Sequence, residues 1–87
     1  EDFEILRPAM ETLIAATRAE DGCLEYGFAQ DVLDPGVIRV FEIWRDKAAH
    51  DAHDRAPHIA DWLAARSKIE VLERRLIAYE VASQRPA

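Results

Sequence analysis

The chain has 87 residues, 49% hydrophobic and 32% charged, with a net charge of −6. That describes one small globular domain over 1–87 rather than a disordered segment. The acidity repels a phosphate backbone and excludes nucleic acid as an expected partner. The single cysteine, Cys23, excludes an intramolecular disulfide and a cysteine-based zinc centre. No apolar run approaches membrane-spanning length and no signal peptide is visible, so a cytoplasmic protein without a membrane partner is expected.

In chain order, Asp2 to about Glu20 has helical periodicity: Phe3, Leu6, Met10, Leu13 and Thr17 recur every three or four residues. Pro8 removes a backbone donor inside that stretch, which predicts a late start or a kink. Asp21-Gly22 ends the helix, with glycine suited to the left-handed C-terminal position. Cys23 to Val32 reads as a strand with Leu24, Tyr26 and Phe28 on one face and Cys23, Glu25 and Gly27 on the other. Asp34-Pro35-Gly36 is a turn signal, and Val37 to Trp44 (VIRVFEIW) is a β-branched and aromatic strand. The two strands make a hairpin.

Asp46 is placed to cap a second helix running to about Arg55. Pro57 restarts the chain as a third helical segment from His58 to Ser67. Residues 69–72 carry no clear pattern, and Arg74 to Val81 alternates as a last strand. With one strand added in front, the order becomes βαββαβ, an α+β ferredoxin-like arrangement with an antiparallel sheet. The expectation is that this first strand is missing from the residues given, since the sequence lacks a starting Met and enters a helix at once. The open sheet face of one such unit leaves apolar residues exposed (Phe41 and Ile43, or Val40 and Trp44), so a homodimer is expected to cover them.

Several stretches together resemble one family. They are RPAMETLIAATRAEDGCLEY (Arg7 to Tyr26), the run from Asp31 to Asp46, His53, Pro57-His58, Trp62 and Tyr79-Glu80-Val81. The ordered set R-A-E-x-G-C, D-P-G, E-x-W and H-x-x-x-P-H is similar to the antibiotic biosynthesis monooxygenase (ABM) domains, in particular small stand-alone members described as quinol monooxygenases. The resemblance implies a dimeric α+β barrel with a cavity between sheet and helices in each subunit. It also implies, for some members, oxidation of a phenol or quinol by molecular oxygen with neither metal nor flavin. No cofactor is therefore expected. Haem-degrading relatives carry a tryptophan and a later histidine at places that here read His53 and Leu63, so haem oxygenation is disfavoured.

Such chemistry needs a base titrating near neutrality, donors for an oxyanion and a water-poor pocket. Histidine suits the base role. His53 is the first candidate. At roughly 100° per residue it lies about 40° from Ala49 and about 60° from Ala56, close to the alanine face that packs inward. Tyr26, Trp44, His58 and Trp62 are candidates for binding an aromatic substrate, with Arg39, Glu42 and His50 as polar support. His50 stands where related sequences carry a bulky apolar residue, and Asp54 where many carry an aromatic. Three histidines without a recognised ligand spacing predict no metal site. Cys23 lacks a cationic neighbourhood and is not expected to be a reactive thiolate. The reading is a cofactor-independent monooxygenase of a small aromatic quinol or polyketide-like phenol. The alternatives are a non-catalytic ligand-binding or assembly module, or an isomerase on the same fold.

Overall fold

The computed structural model describes residues 2–69 and 74–87. Helix α1 spans Asp2–Arg18, strand β1 Cys23–Gln30, strand β2 Ile38–Trp44, helix α2 Lys47–Asp54 and helix α3 Pro57–Arg66. The two strands pair antiparallel, and α1 packs against β1 and α3. This is an α+β, ferredoxin-like arrangement with helices on one face of a hairpin.

The inward stripe of α1 is the one its periodicity predicts. Leu6, Met10, Leu13 and Thr17 are all buried, and Leu13 and Thr17 are the largest fully buried side chains. The helix runs continuously through Pro8. The ring costs the hydrogen bond that Pro8 would otherwise give to the preceding turn, and the packed stripe that follows it carries the helix nonetheless. The Thr17 hydroxyl is a buried side-chain polar atom without a hydrogen-bond partner.

Two features of β1 differ from simple alternation. Cys23 pairs with Trp44 but Glu25 pairs with Ile43, so Leu24 is an extra residue, a β-bulge. Paired residues share a face. The bulge therefore brings Cys23 round to the face of Tyr26 and Phe28, and turns Leu24 out to 64% exposure. The strand also ends at Gln30 rather than Val32. There the Asp31 carboxylate accepts from the backbone of Leu33 and Asp34 at 2.8 and 2.9 Å, curling the chain out of the ladder. Val32 and Leu33 project into solvent.

The cap of α2 forms as expected: the Asp46 side chain accepts from the backbone N–H of Ala49 at 2.9 Å. Pro57 occupies the first turn of α3, where its missing N–H costs nothing. The expected last strand, Arg74 to Val81, is not formed. These residues are exposed and irregular. Alternation makes a strand only when a ladder partner lies alongside, and no strand edge among the described residues does so. Of the unassigned stretch 69–72, residues 70–72 lie outside the described residues.

Candidate functional site

The site begins at the end of α1. Glu20 lies just beyond the last helical turn, where its N–H donates to the Thr17 carbonyl at 3.0 Å and its own carbonyl accepts from Cys23 N–H at 3.2 Å. Gly22 completes the turn at φ +89°, the left-handed region. A side chain there would also meet the Ala49 methyl at 2.5 Å, so glycine sets how closely α2 approaches this corner. The Gly22 carbonyl accepts from Arg45 N–H at 2.7 Å, tying the corner to the end of β2. Asp21 and Arg45 pair outside it at 3.2 Å.

His53 and His58 bracket the short connection between α2 and α3. His53 is in the last turn of α2, and its carbonyl accepts from Ala56 N–H at 3.0 Å, while His58 follows Pro57 at the start of α3. The tight turn aims both rings at the end of α1. His53 Nδ1 and His58 Nε2 each lie 2.6 Å from the same oxygen, Oε2 of Glu20. An ionised carboxylate only accepts, so both nitrogens donate. The Glu20 and His53 side chains are 15% and 4% exposed, and His58 is the most open at 21%. Burial alone pushes the Glu20 carboxyl up. The hydrogen bonds from His53 and His58, together with their charge, outweigh burial and hold it below the usual carboxylate value.

Aromatic rings line the sheet side. Trp62 meets Phe28 edge-on at 5.4 Å, Phe28 lies 5.9 Å from Tyr26, and Tyr26 meets His53 edge-on at 5.4 Å. Trp44 sits 4.8 Å from His53 on its other side and stacks on His50 at 6.0 Å. Trp44 Nε1 donates to Glu42 at 2.9 Å, and His50 Nε2 approaches the same carboxylate oxygen at 3.9 Å. Burial pushes the Tyr26 hydroxyl well above its ordinary value, with the charges of Glu42 and Glu20 adding to the effect, so at neutral pH it stays a phenol. Burial likewise raises the Cys23 thiol, with Glu20 and Glu42 acting in the same direction, as expected of an unreactive cysteine.

A shallow cleft of about 160 Å³ between α1 and α3 is lined by Ala9, Thr12, Leu13, His58, Asp61 and Trp62. A second, more open hollow of about 350 Å³ has Glu20, Asp21, Arg45 and three alanines of α2 on its walls. The Glu20–His58 pair thus has one member on each.

Of the residues singled out from the sequence, Tyr26, Trp44, His53 and His58 converge. Trp62 joins them through Phe28 and through the cleft that it shares with His58. Glu42 and His50 form a satellite around Trp44. Arg39 stands apart: it is on the opposite sheet face, where it pairs with Asp31 at 2.6 Å. Glu20 was given no role by sequence reasoning, although it is the acidic residue within R-A-E-x-G-C. Its position just past a helix end reads as surface, and nothing local says that two histidines more than thirty residues away will close on it.

Comparison with known proteins bears on the fold and the family. The family described as Antibiotic biosynthesis monooxygenase matches residues 1–65. A Mycobacterium tuberculosis protein, whose name makes it provisionally a monooxygenase, is 36% identical over 87% of this chain and 71% of its own length. An uncharacterised Synechocystis protein is 28% identical over 83% of the chain, which spans about half (49%) of that relative. The solved structure of the same M. tuberculosis protein superposes with a TM-score of 0.71 at 30% identity, covering 92% of this chain and 84% of that one. A conserved protein from Methanosarcina mazei superposes with a TM-score of 0.70 at 28% identity, covering 75% of this chain and 64% of that one. With the fold, the ordered motifs and the matched residues in agreement, this chain belongs to the antibiotic biosynthesis monooxygenase family.

Proposed function

We propose that the chain oxidises a small phenol or quinol with molecular oxygen, without metal or flavin, and that His58 is the base. The observation that carries this reading is the Glu20 carboxylate held between two imidazoles, the more exposed of which lines a cleft beside Trp62. Glu20 fixes the His58 tautomer with the proton on Nε2, which leaves Nδ1 to take a phenolic proton. The imidazolium that forms is stabilised by the same carboxylate. The phenolate passes electrons to oxygen. One oxygen atom enters the ring and the other leaves as water, so a phenol plus O2 gives a quinone plus H2O, and a quinol plus O2 gives a hydroxyquinone plus H2O. His53, buried between Tyr26 and Trp44, acts as a positioning residue that anchors Glu20. The working form is a homodimer in which a second sheet covers the face that carries Phe41, 57% exposed here.

A second reading, a non-catalytic binding or assembly module with a small or filled cavity, is favoured by the size of the cleft. About 160 Å³ is below the roughly 300 Å³ at which pockets begin to enclose a small-molecule ligand. Oxygen uptake with a panel of reduced quinols such as menadiol, in metal-free buffer, separates the two. The monooxygenase reading expects uptake above the spontaneous rate that collapses in His58→Ala and falls less in His53→Ala. Uptake at the protein-free rate across the panel sinks it in favour of the binding module. Sedimentation as a stable monomer at micromolar concentration removes the dimer.

A further inference from the structure

We propose that Glu20, His53 and His58 also form a binding site for one divalent transition-metal ion of the Zn²⁺ or Co²⁺ class. The sequence alone predicted no metal site, because the third ligand is a carboxylate that no local spacing links to the histidines. In the structure, the ligand atoms of the three residues lie within 4.8 Å of one another. Two imidazole nitrogens and a carboxylate oxygen are the donor set of a tetrahedral His₂Glu centre with one position left for water.

The geometry needs little adjustment. An ion about 2.0–2.2 Å from each donor holds adjacent ligand atoms roughly 3.3–3.5 Å apart in a tetrahedron. The two N···O distances, now 2.6 Å, widen by less than about an ångström, and the most distant pair of donors closes. These movements fall on Glu20 and His58, which are partly exposed. His53 is held between the Trp44 and Tyr26 rings and serves as the fixed ligand. No proton need be lost from neutral imidazoles: each N–H facing the carboxylate shifts to the other ring nitrogen, freeing Nδ1 of His53 and Nε2 of His58 for the ion. The site then carries two neutral ligands and one carboxylate, in a chain of net charge −6 that concentrates cations near its surface.

Binding would consume the carboxylate that orients His58, so the ion is an inhibitor of the oxidation. That consequence rests on the function proposed above; the binding itself does not. The test is titration of metal-free protein with Co²⁺ alone at neutral pH, reading the visible d–d absorption of tetrahedral cobalt, followed by displacement with Zn²⁺. The expected result is a tetrahedral band saturating at one ion per chain, bleached by Zn²⁺ and lost in Glu20→Gln and in His58→Ala. Because Glu20→Gln could weaken the fold, ring ¹⁵N spectra of the wild type with Zn²⁺ give an independent reading: His53 and His58 shift and His50 does not. Absence of the tetrahedral band, or a band that survives in His58→Ala, overturns the site. A band in a protein that oxidises none of the quinols upholds the site and overturns only the function. Uptake without a band does the reverse.

Discussion

Replacing Glu20 with alanine tests the corner on which the whole site depends. The substitution leaves two imidazole N–H groups, one 4% and one 21% exposed, without their acceptor. A hydrogen bond to a charged group contributes about 1.5–3 kcal/mol. The more open ring of His58 recovers part of its share from water, so a loss of roughly 2–4 kcal/mol is expected from the pair. For a domain of this size each kcal/mol moves the midpoint by about 4–8 °C, placing the variant roughly 8–32 °C below the wild type. Glu20→Gln, which keeps an accepting oxygen, should lose less. Urea unfolding followed by circular dichroism at pH 7 measures both. The same carboxylate predicts a pH dependence. Its value in the folded chain is below the ordinary 4.5, so the folded state binds fewer protons than the unfolded chain near that pH. The contribution is complete above about pH 4.5 and is lost as the pH falls through the lower, folded value. Glu20→Ala should therefore have a flatter stability profile in that acid range than the wild type. A loss below about 0.5 kcal/mol at pH 7, the level of an ordinary surface substitution, would refute the bridge as an energetic unit.

Three further substitutions probe the scaffold. Gly22→Ala should cost about 2–4 kcal/mol, combining a left-handed backbone with a methyl forced 2.5 Å from Ala49, and thermal unfolding near wild type would show that the corner is not constrained. Asp46→Ala removes the cap of α2 and should cost about 1 kcal/mol, read from the urea midpoint; an unchanged midpoint counts against the cap. Thr17→Val should be neutral or stabilise by up to about 1 kcal/mol, because it replaces a fully buried hydroxyl that has no partner with a methyl of similar shape. A clear loss of stability would mean that this hydroxyl is bonded after all.

The sequence by itself determined the helices and the hairpin. Leu6, Met10, Leu13 and Thr17 keep one helical face, Asp46 and Pro57 mark helix starts, and Asp34-Pro35-Gly36 separates two β-rich runs. These are local preferences of the backbone and of amphipathic spacing, and they need no knowledge of distant residues. The ordered motifs carried the family for the same reason: they are strings. Alternation failed where the outcome depended on pairing. The bulge at Leu24 is set by register against β2, and Arg74 to Val81 alternates without a neighbouring edge to join. The site lies further from what spacing can show. His53 could be assigned to an inward face from helical geometry, but the choice between His53 and His58 as the open imidazole depends on how α2 and α3 turn about Pro57. Glu20 became its centre only when α1 ended beside that turn. Hydrogen bonds between residues far apart in the chain belong to tertiary packing, which alone decides whether a polar side chain after a helix end faces water or is shared by one buried and one partly exposed histidine.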